Sequence, residues 1–483
     1  MQKIIGRTAE RAELQDIYES GRPELVVVYG RRRVGKTFLI REHFQGQFAF
    51  YHTGLSQQEI DATNQKEGQL QNFASSLRHY GKAEQKTPTD WLTAFDDLRS
   101  LLEIKMQASP NQRQVVFIDE LPWMDTPRSG FLSALEHFWN GWGAGQTSLM
   151  LIVCGSATAW ISDHLLHNKG GLYDRKTREI KLHPFTLHEA ELYYQEQGIE
   201  LDRYVQMQLY MMLGGIPYYM SYVRKGDSVE QTMDNLFAQR NAKLDDELEQ
   251  LLVSLFTNHQ DCMKIVRLLA NRKSGYTRKD IAEKTGVPYG GGLTKTLKAL
   301  TESDFIQKYI YYGLPNKEER YRLIDFYSLF ALTVVHKKTS PDADVWKGQF
   351  DKRTMDIWYG FAFEALCWNH IPQIKQALGI SSVHTVEFSW RAEKNDEHPG
   401  AQIELLIRRA DRIINLCEMK FCVGEYVLDN IEASKIRNKI AIYQQLTHCK
   451  EVIHPTIVTT YGLAANKHSF FIQRVITMDD LFV

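Results

Sequence analysis

Leu25-Val26-Val27-Val28-Tyr29, then Gly30-Arg31-Arg32-Arg33-Val34-Gly35-Lys36-Thr37, then Phe38-Leu39-Ile40-Arg41-Glu42 is the stretch whose reading decides the fold. The apolar run has the length and composition of a buried strand, and the last five residues open a helix. The octet between them fits G-x-x-x-x-G-K-[ST], in the strand-to-helix context that this pattern requires. A glycine-bearing turn at the positive end of a helix offers backbone N–H groups to phosphate oxygens. Lys36 is placed to reach the β- and γ-phosphates, and the Thr37 hydroxyl to ligate Mg²⁺. Gly30 and Gly35 are the turn residues of this cradle.

Two further apolar runs extend the pattern. Val115-Val116-Phe117-Ile118 ends in Asp119-Glu120, which reads as a parallel strand delivering one carboxylate to a metal and one to an attacking water. Leu149-Met150-Leu151-Ile152-Val153-Cys154 runs into Gly155-Ser156, whose polar tip could sense a γ-phosphate, because ligands in open α/β sheets lie beyond the carboxyl ends of the strands. Solvent or a domain contact is expected for Arg31, Arg32 and Arg33.

The 483 residues suit about three domains at roughly 100–200 residues each. A charged fraction of 24% and a net charge of −1 describe a globular chain, so any nucleic-acid contact must be local. No apolar run reaches the roughly 18–20 residues that span a bilayer, and Met1 to Arg7 lack a signal-peptide core. A cytoplasmic protein without a membrane partner is expected. The six cysteines are scattered, with no C-x-x-C pair, which fits a reducing compartment.

Ile5-Gly6-Arg7, the phosphate loop, Ile118-Asp119-Glu120-Leu121-Pro122, Cys154-Gly155-Ser156 and Gly214-Gly215-Ile216-Pro217 together resemble the archaeal-type ATPases of the STAND branch of the AAA+ group. The similarity covers about the first half of the chain. It implies ATP and Mg²⁺ as cofactors, an adenine-side role for Gly6 and Arg7, and a Walker B role for Asp119 and Glu120. It further implies a sensor role for Ser156 and a lid turn at Pro217. Arg175 or Arg178 is a candidate arginine finger, in cis or in trans, with solvated arginines as the alternative.

Farther along, an apolar helix pattern at Cys262–Leu269 precedes Thr277 to Gly286. There Thr277 reads as N-cap, Asp280 as capping-box partner and Gly286 as C-cap. Leu293, Leu297 and Leu300 mark the next helix, and Phe305–Tyr312 with Arg320–Ile324 form a hairpin. Three short helices and a hairpin read as a winged helix-turn-helix. Residues 261–330 hold 13 Lys and Arg against 8 Asp and Glu, the basic field that DNA contact needs. Lys295, Lys298, Lys308 and Arg322 are its candidate contacts.

After a linker-like Lys337–Asp342, Ala401–Ile407 and Ile413–Phe421 read as a second hairpin. Glu418 and Lys420 share one strand face, and Glu404 on the partner strand supplies a second carboxylate. Such charges in an apolar strand are costly unless paired or metal-bound, and two carboxylates with a lysine could hold Mg²⁺ and orient water. The arrangement is similar to the PD-(D/E)XK nuclease superfamily, with Glu418-Met419-Lys420 as E-x-K, Glu404 where Asp is usual and Glu364 as the N-terminal helix acid. The longer Glu404 moves the ligand oxygens.

The expected architecture is α/β: a P-loop AAA+ core with a parallel sheet (1–185), a helical lid (186–250), a winged helix-turn-helix (251–336) and a PD-(D/E)XK-like α/β domain (345–483). The expected activity is ATP binding and hydrolysis by a STAND-type switch that binds DNA and acts as, or controls, a metal-dependent nuclease, with homo-oligomer formation left open. The alternative is a nucleotide-gated scaffold with a catalytically inactive nuclease-like domain.

Overall fold

The computed structural model describes all residues except 1–2, 57–58, 61–63, 83–85, 167–174, 239–241, 245, 273, 313–316, 336–351, 395 and 397–398. The linker expected at Lys337–Asp342 and the turn at Gly313–Asn316 lie outside the described residues, as do Leu172 to Asp174 beside the arginine-finger candidates. Two compact units form, residues 1–184 with 298–303, and residues 185–297 with 304–483.

In the first unit, β1 (Glu24–Tyr29), β2 (Phe50–Thr53), β3 (Gln114–Asp119), β4 (Leu149–Gly155) and β5 (Arg178–Lys181) form a sheet in the order β2-β3-β4-β1-β5. Every pairing is parallel. All residues of β3 and β4 are buried, as expected of parallel strands covered on both faces. On one face Leu25, Val27, Val116, Ile118, Leu151 and Val153 pack with Phe73, Phe95 and Phe131 of the covering helices. The helix Trp91–Ala108 begins where Asp90 Oδ1 accepts the Thr93 N–H at 2.9 Å, filling one of the donors a helix start leaves open. The strand order sets β4 between β1 and β3. The phosphate loop, Asp119-Glu120 and Ser156 therefore leave the sheet at one edge, side by side.

The second unit opens with the helices Leu187–Glu196 and Arg203–Leu213, the latter stopped by Gly214 at φ 71. The helix Arg278–Thr285 has the capping box of Thr277 and Asp280 and ends at Gly286, φ 73, as the spacing predicts. Eight strands follow: β6 (Tyr276–Thr277), β7 (Ile306–Tyr312), β8 (Lys317–Leu323), β9 (Thr385–Ala392), β10 (Ala401–Arg409), β11 (Ile413–Lys420), β12 (Val452–Thr459) and β13 (Arg474–Ile476). They make one sheet, β13-β12-β11-β10-β9-β7-β8-β6. The hairpin β7–β8, expected to be the wing of a winged helix-turn-helix, pairs in parallel with β9 through Tyr311↔Ser389 and Tyr312↔Trp390. Periodicity marks β7 and β8 but neither β9 nor such a non-local pairing.

His370 fixes one joint inside this unit. Its Nε2 accepts the Leu187 N–H at 3.3 Å, which assigns the proton to Nδ1, 2.9 Å from the Leu366 carbonyl. Burial lowers its pKa to about 4. Unfolded, the imidazole titrates near 6.5, so between pH 6.5 and 4 only the unfolded chain takes the proton. This contribution is complete above pH 6.5 and is lost on acidification, up to about 3 kcal/mol. Chemical denaturation of the wild type and His370→Gln at pH 7 and pH 4.5 checks this: the wild type should lose more stability on acidification than the variant.

Candidate nucleotide site

Gly30 leaves β1 at φ 144, and a Cβ there would stand 2.2 Å from the Leu182 carbonyl oxygen. Gly35 caps the helix Lys36–His43 at φ 92 in open space. Between them the loop wraps the Lys36 ammonium, whose Nζ donates to the carbonyls of Gly30 (2.9 Å) and Arg31 (2.9 Å) and to Ser156 Oγ (3.1 Å). Lys36 is 5% exposed. These three acceptors offset the cost of burying its charge.

Thr37 Oγ1 donates to Asp119 Oδ2 at 2.6 Å, so the hydroxyl and the carboxylate assigned to Mg²⁺ meet directly. The other Asp119 oxygen accepts the Glu120 N–H at 2.9 Å. Burial, and then the Asp119 charge, push the neighbouring Cys154 thiol well up, so it remains protonated. Glu120 adopts φ 47, and its carboxylate accepts both the Ser156 N–H (3.1 Å) and the Ser156 hydroxyl (2.7 Å). Ser156 thus links Lys36 to Glu120 through one oxygen. Gly155 permits the approach, since a Cβ there would lie 2.6 Å from Pro122 Cδ.

The other nucleotide-side residues divide. Gly6 and Arg7 take φ 59 and 53 before the helix Thr8–Glu19, and the Arg7 guanidinium donates to the carbonyls of His183 (2.7 Å) and Val34 (3.3 Å). That ties the Gly-Arg element to the phosphate loop. Arg31 is 1% exposed, so the expectation of a solvent role for it is corrected: the loop turns its side chain inward. Arg175 and Arg178 are exposed, and Arg178 Nη1 donates to the Thr177 carbonyl. Pro217 opens the short helix Pro217–Met220 in the second unit, after a turn in which Phe185 N–H bonds the Gly215 carbonyl.

The four basic residues assigned to DNA are not equivalent. Lys308 pairs with Glu319 at 2.6 Å, and Lys298 with Asp163 at 2.7 Å and Glu302 at 3.6 Å. Arg322 is buried, its guanidinium 4.0 Å from the Trp368 ring centroid and 4.9 Å from that of Tyr309. Burial lowers its pKa to about 10, against the opposing charges of Tyr309 and Glu404. The wing contact expected of Arg322 is therefore corrected to an internal joint of the unit. Lys295 is exposed.

The second hairpin departs from the expected triad. β10 and β11 pair in antiparallel register, Leu405↔Cys417 and Leu406↔Leu416. β10 shifts register against β9 between Ile403 and Leu406. Both of those residues enter the same core as Ile414 and Leu416, so Glu404 falls on the opposite face, beside Gln402, which donates to it at 2.7 Å. Glu418 and Lys420 stay on the core-side face, toward the helix Asn430–Thr447. There Glu418 accepts from Lys439 at 2.7 Å and lies 3.3 Å from Lys420, which also meets Glu432 at 3.1 Å. Burial opposes the charge on Lys420, but Glu418, with Tyr426 and Glu432, holds its pKa above the ordinary lysine value.

Glu364 lies in the helix Lys352–Asn369, near Cys367, whose thiol is pushed up by burial and by the nearby Cys417 and Glu364. Cys417 is on the face away from Glu418. The expected metal pair of Glu404 and Glu418 is therefore corrected: a bulge separates them. Among the described residues no three His, Cys, Asp or Glu side chains assemble into a metal site. Lys439, the grip on Glu418, was legible only as a helix face, with Glu432, Lys435 and Lys439 three and four residues apart.

Residues 5–223 match a family described as an ATPase domain predominantly from Archaea. This region is an archaeal-type ATPase domain. The chain is 24% identical over 418 residues to an uncharacterized protein of Methanocaldococcus jannaschii, covering 83% of this chain and 84% of that one. Among solved structures, the Walker-type ATPase PABY2304 of Pyrococcus abyssi is similar at TM-score 0.48 and 18% identity, over 68% of this chain and 96% of that one. The Aeropyrum pernix ORC2 protein, in ADPNP–ADP complexes, is similar at TM-score 0.46 and 14% identity, over 73% and 96%. Among the described residues no helix is long and apolar enough to cross a membrane.

Gly30→Ala should be the more damaging of two loop substitutions, because it adds a backbone clash to an unfavourable φ, whereas Gly35→Ala meets only the φ penalty of about 1–2 kcal/mol. Thermal unfolding of both variants should show a loss for Gly30→Ala at least twice that for Gly35→Ala.

Proposed function

We propose that this chain is an ATP-binding and ATP-hydrolysing switch of STAND type. The observation that carries the reading is the hydrogen-bonded chain from the buried Lys36 through Ser156 to Glu120, set beside the 2.6 Å contact of Thr37 with Asp119. In this reading Lys36 meets the β- and γ-phosphates, Thr37 and Asp119 hold Mg²⁺, and Glu120 orients the attacking water. The metal, when bound, neutralises charge building on the phosphate oxygens. Ser156 touches both the phosphate-binding ammonium and the water-orienting carboxylate, so an oxygen arriving at Lys36 alters the hydrogen bonds that hold Glu120. Gly6 and Arg7 serve the adenine side, residues 186–250 with Pro217 form the lid, and residues 251–336 form a winged helix whose exposed Lys295 supports DNA contact.

For residues 345–483 a specific observation favours the scaffold reading over the nuclease one. Glu418 lies between two ammonium groups, and Glu404 stands on the other face of the sheet. We infer a nuclease-like domain that binds without cutting. Two lysines already neutralise the one carboxylate placed for a metal, and a cation would have to displace them from these part-buried pairs.

Glu120→Gln should lower ATP turnover by about 100-fold or more while binding changes by less than about tenfold, as expected for a residue acting on the chemical step. Unchanged turnover would contradict its role. For the C-terminal domain, wild type and Glu418→Ala should both leave plasmid DNA intact with ATP and Mn²⁺. Cleavage by the wild type that disappears in Glu418→Ala would restore the nuclease reading.

A further inference from the structure

The far end of the second hairpin holds a cavity of about 780 Å³, bounded by the start of β9, the β10–β11 turn and the segment after the helix Asn430–Thr447. Arg408, Arg409, Arg412 and Lys450 line it, with Glu451 as the one lining carboxylate. This excess of cations stands in a chain whose net charge is −1. Ile413 begins β11 and Lys420 ends it, so the cavity lies roughly 20 Å from the Glu418–Lys420 cluster at about 3.3 Å per residue.

Two backbone positions give the cavity its meaning. Arg412 closes the turn at φ 67, and His448 caps the helix at φ 50, and both line the cavity. Each conformation is one that glycine adopts without cost and that a side chain of this kind adopts at about 1–2 kcal/mol. A turn and a helix end that would be more stable with glycine instead present an arginine and a histidine to one space. Residues in such conformations gather where a ligand is bound. Arg408 is paired with Glu451 and Arg409 with Asp411, which leaves Arg412 and Lys450 as the lining cations without an ion pair among the described residues. Planar guanidinium groups match phosphate oxygens two at a time. The inner wall is apolar, formed by Val386, Phe388 and Tyr443, and it suits the flat body of a ligand whose charge lies at the rim.

We propose that this cavity binds a nucleoside phosphate, supplied either as a free nucleotide or as the end of a nucleic-acid strand. The proposal is independent of the ATP site, and none of its residues belongs to the phosphate loop or to the Glu418–Lys420 cluster.

The test uses the full chain and Arg412→Gly/Lys450→Ala. Glycine relieves the backbone at 412, so the variant should fold at least as well as the wild type, which thermal unfolding checks. Fluorescence anisotropy with a short fluorescein-labelled single-stranded oligonucleotide should show affinity falling about tenfold or more in the variant, with a shallower salt dependence, as expected when phosphate contacts are lost. ATP turnover should be unchanged. Competition then separates the sources: displacement by AMP identifies a mononucleotide site, and displacement by unlabelled oligonucleotide alone identifies a strand. No binding by the wild type to either probe, or equal affinity in wild type and variant, would overturn the proposal.

Discussion

The buried ammonium of Lys36 is the constraint on which the first unit turns. A lysine that is 5% exposed must find oxygen on every side, and the chain provides two carbonyls of its own loop and the hydroxyl of a residue 120 positions away. The parallel pairing of β4 with β1 is what brings Ser156 within 3.1 Å. The glycines at 30 and 155 meet a separate, steric need: a Cβ at 30 would strike the Leu182 carbonyl, and one at 155 the Pro122 ring.

From that point the chemistry continues outward through short polar links. Ser156 passes to Glu120, Asp119 to Thr37, and the backbone N–H of Glu120 returns to Asp119. Each member has its position set by another, and networks of this kind respond as a unit to a change at any one member. The proposed switch would need this property, since the γ-phosphate is a single group whose presence must be felt by the residue proposed to govern its removal.

The first unit was largely legible in the sequence because its signals are local. An apolar run, a glycine-bearing octet and two carboxylates at a strand end declare the elements and the sheet edge at which they meet, and in the second unit the capping box at Thr277 was equally local. The second unit was less legible because its decisive features are not local. The pairing of β7 with β9 joins residues almost 80 positions apart. The bulge that turns Glu404 away from Glu418 inserts one residue into an otherwise regular alternation, and strict period-2 counting places both on one face. Arg322, read as a wing contact, is covered by Trp368 from a helix that the hairpin's own sequence does not mention.

The central claim is that the Lys36 cradle receives ATP. Isothermal titration of the full chain with ATP and Mg²⁺, set beside the same titration of Lys36→Ala, tests it most directly. The account predicts saturable one-site heat for the wild type, and an affinity at least about 100-fold weaker for the variant, the scale expected when a charged contact worth about 3 kcal/mol is removed. Equal affinity in the two proteins would contradict it.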